Sequence, residues 1–229
     1  MAARSADGFF VSAHGGNNGE SHNHNDVGDF AVYYKGAPVI IDAGAGTYTS
    51  KTFSSKRYTL WFNTSPFHNL PTINSHEQAA GEKFKAENVK FSHSGKSTTF
   101  IADIAKSYPK DAGVQSWLRM IKVGSGKGPV ITDRYKLGSA PKNLTQSFMT
   151  VCKADVSKPG TIRFTTEKGD KISMDYDAKF WSASAEVVKL DQPEDQKIKS
   201  NWNNRPVTRI LLTAKNNPQN AQITYSLHP

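Results

Sequence analysis

The sequence lacks the features that would indicate disulfide bonds, a membrane span or a disordered chain. Cys152 is its single cysteine, so an internal disulfide is excluded, and a metal site would need histidine and carboxylate ligands. No apolar run is long enough for a transmembrane helix, and the first residues lack the apolar segment of a signal peptide. This predicts no membrane insertion, and either a cytoplasmic protein or a segment of a longer exported chain.

Helical periodicity is also absent, and short strands rich in β-branched and aromatic residues take its place. Polar turns separate these strands, which is typical of an antiparallel sandwich or barrel. The predicted strands are Phe30–Tyr34, Val39–Asp42, Thr98–Ile101, Val130–Leu137, Gln146–Val151, Thr161–Thr165, Lys171–Tyr176, Phe180–Lys189 and Arg209–Thr213.

Acidic residues are outnumbered, since 29 Lys and Arg stand against 20 Asp and Glu and give a formal net charge of +9. This balance favours a polyanionic partner. The chain has no RNP motif or recognition helix, so nucleic acid is not expected. One domain over residues 1–229 is predicted. A minor β-subdomain over about 140–229 is also compatible with the sequence, because this part contains few candidate site residues.

Polar residues that could act as metal ligands, acids or bases are concentrated near the start of the sequence, in residues 15–29, GGNNGESHNHNDVGD. In an extended segment, residues two apart project from the same face. His22 and His24 are therefore expected either to share one ion or to divide their work between an ion and an adjacent substrate. Two exposed loop histidines are the simpler interpretation of H-x-H alone.

A hairpin is predicted over FAVYY–KGAP–VIID, and it ends at Asp42. An aspartate that ends an apolar strand is costly to bury unless it is paired or ligated, and two histidines with one carboxylate form a familiar zinc ligand set. His68 would complete the set; its alternative is a hydrogen-bonded core imidazole. A two-residue turn at Gly36-Ala37 would place Asp42 opposite Ala31, so the histidines would have to curl back from a loop or bulge.

Two stretches together resemble the C-terminal β-domain of the heparinase II/III-like polysaccharide lyases: SHNHNDVGDFAVYYKGAPVIIDAGAGTY and KRYTLWFNTSPFHNLPTIN. The signature is H-x-H-x-D, strand–turn–strand, D-x-G, then a Tyr and a His-Asn pair. Ser116–Arg119 and Val130–Arg134 resemble later core strands of the family.

The resemblance implies a multilayered antiparallel β-sandwich with few or no helices, which the family joins to an N-terminal α/α toroid absent from this chain. It implies cleavage of uronate-containing, glycosaminoglycan-like polysaccharide by β-elimination, in a bacterial protein that is periplasmic or secreted. It assigns one structural Zn²⁺ to His24, Asp42 and His68, and catalytic roles to His22 and Tyr58.

Elimination removes a weakly acidic proton α to a carboxylate, so groups that neutralise this carboxylate are needed. Asn25 and Arg57 are expected to bind the substrate for this reason. A tyrosine can act as acid or base only if nearby positive charge lowers its pKa, and on a strand Arg57 would face away from Tyr58.

Two other functions remain open. One is a catalytically silent sandwich that binds anionic carbohydrate. The other is a metal-dependent hydrolase, with Glu20 or Asp26 as the general base. A lyase yields an unsaturated uronate that absorbs in the near ultraviolet, a hydrolase yields a reducing end without it, and a binding domain yields neither.

Overall fold

The computed structural model describes residues 1–124, 126 and 128–229. A hairpin loop is predicted for the Gly124–Gly128 run, of which Ser125 and Lys127 lie outside the described residues. The strands are, in chain order, β1 (Ala2–Arg4), β2 (Phe9–Ala13), β3 (Asn17–Asn18), β4 (Phe30–Tyr34), β5 (Ala37–Ile40), β6 (Pro71–Ile73), β7 (Gly81–Lys85), β8 (Glu87–Ser94), β9 (Ser97–Asp103), β10 (Val114–Val123), β11 (Val130–Leu137), β12 (Leu144–Thr150), β13 (Lys153–Asp155), β14 (Thr161–Thr165), β15 (Lys171–Asp175), β16 (Trp181–Val187), β17 (Thr208–Ala214) and β18 (Asn220–His228).

Helical structure is sparse. The described residues contain one α-helix, α1 (Gln196–Asn201), and short 3₁₀ turns at Arg57–Thr59, Trp61–Asn63, Ser65–Phe67, Ala105–Ser107, Lys110–Ala112 and Pro193–Asp195. Within this part of the chain, no helix is long and apolar enough to cross a membrane.

The strands form four sheets with antiparallel pairing. Their orders are β1-β2-β4-β5, β13-β14-β15-β18-β11-β10-β9-β8, β16-β17-β12-β6 and β3-β7. The predicted all-β, multilayered antiparallel architecture with few helices is confirmed. Strands that follow residue 140 share sheets with earlier ones, because β18 lies between β15 and β11, and β12 pairs with β6.

Strand prediction is most accurate where burial alternates along the chain. The bounds of β4, β11 and β14 match the prediction to the residue, and all three alternate between more buried and more exposed positions.

The β4–β5 turn corrects the predicted register. Its central residues are Lys35 and Gly36, with φ of 49° and 81°, and positive φ at both positions is characteristic of a type I′ hairpin. Tyr34 therefore pairs with Ala37, and a bulge after Val32 brings that residue opposite Ile40. The predicted turn at Gly36-Ala37 is wrong by one residue, since Ala37 is already in the strand, fully buried.

Two hydrophobic clusters support these sheets. The larger one contains Trp117 stacked on Tyr135, with ring centroids 4.8 Å apart. The smaller one joins Ile41, Phe62 and Met149 to Ile198 of α1, and it lies beneath the 3₁₀ turns that precede His68. Burial of such apolar surface contributes about 25 cal/mol per Å², so the second cluster fixes the segment from which the candidate site is built.

Candidate active site and metal centre

The backbone around His68 is fixed by its neighbour Asn69. The Asn69 side-chain amide donates to the carbonyls of Phe30 (2.7 Å) and Ile41 (3.0 Å), and its oxygen accepts the Met149 N–H at 2.8 Å. Asn69 is fully buried, so each of these polar groups finds its partner inside the protein. The result places His68 beside the ends of β4 and β5, where Asp29 and Asp42 also lie.

A group of potential metal ligands gathers at this point. His24, Asp26, Asp42 and His68 each offer one donor atom, and these atoms all lie within 4.8 Å of one another. The set brings together the three predicted ligands and adds Asp26, which the sequence suggested only as a base. Two imidazoles and two carboxylates form a donor set that could hold a divalent cation.

His68 presents a defined nitrogen to this cluster. Its ring is fully buried, and Nε2 lies 3.1 Å from the Phe62 carbonyl oxygen, which can only accept. Nε2 therefore carries a proton, and Nδ1 faces Asp29 Oδ2 at 3.4 Å and Asp42 Oδ1 at 3.8 Å. A hydrogen bond that fixes one ring nitrogen and leaves the other for a metal is the usual environment of a ligating histidine.

The carboxylates around His68 and His24 give the ligand cluster an excess of negative charge. Burial by itself lowers the pKa of His68, but the hydrogen bond to Asp29 and the charge of Asp42 outweigh it and raise that pKa to about 10. Burial and the neighbouring His68 lower the pKa of His24. The carboxylates thus favour a positive charge among them, which either a proton on His68 or a bound cation would supply.

His22 points elsewhere. Its φ of 59° is left-handed, so the spacing rule for extended chain does not hold at this residue. Its Nδ1 lies 3.1 Å from the Tyr48 hydroxyl and its ring stacks on Tyr48, while His24 lies 5.4 Å from His68 between ring centroids. The two imidazoles of H-x-H therefore diverge in the structure.

An open pocket of about 470 Å³ lies next to His22. Tyr58 and Arg57 both line it, because they belong to a 3₁₀ turn and not to a strand. The Tyr58 hydroxyl accepts a hydrogen bond from the Asn23 side chain at 3.4 Å.

The two predicted substrate-binding residues have different surroundings. The Arg57 guanidinium donates to the carbonyls of Asn23 and Thr52 and forms no ion pair with the described carboxylates. Asn25 is buried, with 4% of its surface exposed, and its amide donates to the Gln78 carbonyl. Asn25 therefore supports the loop from behind, and it is absent from the lining of the pocket.

Sequence reasoning missed the importance of Arg119, although a signal was present. Arg119 is in phase with Trp117 and Ile121 on the inward face of β10, and Asp133 occupies an inward position on β11. A charged residue at an apolar position of an alternating strand indicates a buried ion pair. Arg119 donates to both Asp133 oxygens, at 2.8 and 2.6 Å.

The same guanidinium also holds both loops of the site. It donates to the carbonyls of Gly28 (3.1 Å) and Asn69 (2.7 Å). Gly28 has φ 86°, and a Cβ there would press on Ile104 Cγ2 at 2.6 Å, so only glycine fits this position. Arg119 thus ties the eight-stranded sheet to the segments that carry Asp29 and His68.

Comparison with known proteins agrees with this architecture. The family model described as heparinase II/III-like, C-terminal, matches residues 6–226. The heparan sulfate lyase HepC from Pedobacter heparinus superposes with a TM-score of 0.70 at 17% identity, over 100% of this chain and 36% of that one. A structure described as heparinase III gives a TM-score of 0.64 at 18% identity, over 97% of this chain and 35% of that one.

These structural likenesses show a shared fold, and the chain spans about a third of the length of those lyases, 36% for HepC. No curated protein matches the chain. Because the family model covers almost the whole sequence, the chain belongs to the heparinase II/III-like C-terminal domain family.

Proposed function

We propose that this chain is the β-domain of a bacterial polysaccharide lyase that cleaves uronate-containing acidic polysaccharide by β-elimination. One observation carries the proposal: a cluster of two imidazoles and two carboxylates includes His24, two residues along the chain from His22, and His22 borders an open pocket. We further propose that the protein acts in the periplasm or outside the cell, together with an N-terminal α/α toroid of the same polypeptide.

A single zinc ion fits the donor chemistry of the cluster. His24, Asp42 and His68 would hold it, and Asp26 is a fourth donor of the right type. When bound, zinc would neutralise the carboxylates and fix the loop that presents His22, a structural role. His68 Nδ1 is free of other protein donors, since its near neighbours are carboxylate oxygens.

The proposed reaction breaks a C–H bond and a C–O bond of the substrate. A base takes the C5 proton of the uronate, the electron pair forms the C4–C5 double bond, and the 4-linked oxygen leaves and is protonated by an acid. His22 and Tyr58 are the groups of this chain placed to transfer these protons, because both line the same pocket. Residues outside this chain complete the site in our proposal.

Positive charge in the pocket supports an acidic substrate. All three hydrogen bonds of the Arg57 guanidinium go to the backbone carbonyls of Asn23 and Thr52, so its charge is not cancelled by a carboxylate among the described residues. A preorganised cation near the substrate carboxylate would make the C5 proton more acidic. Glu20 lies on the rim of the same pocket and limits where an anionic sugar can sit.

The test is product analysis with the full-length protein on heparan sulfate, chondroitin sulfate, hyaluronan and alginate. A lyase produces near-ultraviolet absorbance together with new reducing ends. Reducing ends without absorbance would replace the proposal with the metal-dependent hydrolase. Binding without either product would replace it with the silent carbohydrate-binding domain.

A further inference from the structure

Two aromatic rings stand beside the pocket: Tyr48, which the His22 imidazole stacks against, and Phe53, which is the more exposed of the two. Tyr48 is 48% exposed and Phe53 is 70% exposed, and their ring centroids lie 5.4 Å apart in an edge-to-face arrangement. Single exposed apolar residues are ordinary, but adjoining exposed rings next to a polar pocket usually mark a binding surface. Phe53 itself lines the pocket.

The rings are held in place before any ligand arrives. The Tyr48 hydroxyl is hydrogen-bonded to His22 Nδ1, and the ring lies almost parallel to the imidazole, at 7°. The turn between the two rings is closed by a hydrogen bond, in which the Thr49 backbone N–H donates to the Thr52 hydroxyl oxygen at an N···O distance of 2.9 Å. A ligand would therefore pay little conformational entropy to order this surface.

The charge beside the rings is positive. The Lys197 ammonium, on α1, lies 5.6 Å from the centroid of the Tyr48 ring, and it forms no ion pair with the carboxylates of the described residues. Lys51 is near too, but it is already paired with Glu194 at 3.1 Å. One uncompensated cation over the Tyr48 ring, next to the exposed Phe53, suits a sugar that carries a carboxylate or sulfate.

We propose that Phe53, supported by Tyr48, forms a subsite on which a pyranose ring of an acidic oligosaccharide stacks, with Lys197 beside its anionic group. This subsite extends the pocket beyond His22, and its ligand class rests on the proposed function. The apolar face of the sugar would cover the Phe53 ring, and the Lys197 ammonium would pair with the substituent.

The test measures binding of hexasaccharides from the same four glycans to the full-length protein, on a Tyr58→Phe background chosen to slow cleavage. We expect Phe53→Ala to raise the dissociation constant about tenfold, because roughly one aromatic contact with the sugar is lost. Phe53→Trp should restore the dissociation constant of the parent protein. Phe91→Ala is the matched control, because Phe91 is 60% exposed but lies on the edge strand β8.

The subsite is overturned if Phe53→Ala binds every hexasaccharide as tightly as its parent, or if the parent binds none. It is also overturned if another segment of the full-length protein is found to cover Tyr48 and Phe53. The two proposals can fail separately. If Phe53→Ala weakens binding but the wild-type protein cleaves none of the glycans, the lyase proposal fails and the subsite proposal stands. If the wild-type protein cleaves a glycan but Phe53→Ala binds as tightly as its parent, the subsite proposal fails and the lyase proposal stands.

Discussion

At the scale of single residues, His22 and His24 show how one backbone torsion directs two neighbouring imidazoles into different surroundings. The left-handed φ of His22 turns its ring toward Tyr48, and the His24 ring lies 5.4 Å from His68 in the carboxylate cluster. Substitutions at the two positions should therefore have separable effects on metal content and on cleavage.

If the proposed zinc site is correct, we expect His24→Ala to lose zinc and to lower thermal stability. A ligand that binds only the native state stabilises it by about 2.7 kcal/mol at a hundredfold excess over its dissociation constant, and this contribution would disappear. Metal analysis and thermal unfolding measure both effects. His93→Ala is the control, since His93 is exposed on β8; equal zinc content in the two variants would contradict the ligand assignment.

His22→Asn should retain zinc and the melting temperature but lower the cleavage rate about 10²- to 10⁴-fold, as loss of a proton-transfer group does. Asparagine tolerates the left-handed conformation better than most residues, so the backbone of the loop is preserved. Zinc loss in this variant would place His22 among the ligands and refute its assignment to the pocket.

At the scale of elements, some of the strands were predictable, whereas the site loops and strands β1–β3, β6–β8, β13 and β18 were not predicted. The boundaries of β4 and β11 follow from period-two alternation, which needs only local sequence. The histidine–carboxylate cluster needed distant contacts, such as those of Asn69 with β4, with the residue that follows β5 and with β12. Resemblance to a family supplied His24, Asp42 and His68 as a set. Asp26 is the last residue of the H-x-H-x-D signature but was not assigned as a ligand, and neither the resemblance nor periodicity indicated the Tyr48 contact.

Arg119 connects the sheet to both loops, so its replacement should destabilise the whole domain. Arg119→Lys keeps the positive charge opposite Asp133. A single ammonium cannot bind both Asp133 oxygens and also reach the carbonyls of Gly28 and Asn69. We expect the free energy of unfolding to fall by about 1–3 kcal/mol, measured by urea denaturation. Arg163→Lys, at an exposed position of β14, should change it by less than about 0.5 kcal/mol. Similar values for both variants would show that the buried network adds nothing.

At the scale of the whole molecule, the net charge of +9 and the aromatic subsite act on a ligand through different physics. Charges are screened over about 10 Å at 0.1 M salt, while apolar contact between a sugar and a ring is not screened. The charge should govern encounter with an acidic polysaccharide, and the rings should govern how well one sugar unit is held.

This difference gives a prediction about salt. Raising the ionic strength from about 0.05 to 0.5 M should weaken hexasaccharide binding several-fold or more, because the Debye length shortens well below the dimensions of the domain. The Phe53→Ala variant should weaken in parallel, so its ratio to the parent protein stays constant across the salt series, as expected for independent contributions. Isothermal titration at four salt concentrations measures both quantities. A ratio that falls toward one as salt rises would mean that Phe53 acts through the charges around it, and salt-independent binding would remove the electrostatic role of the basic surface.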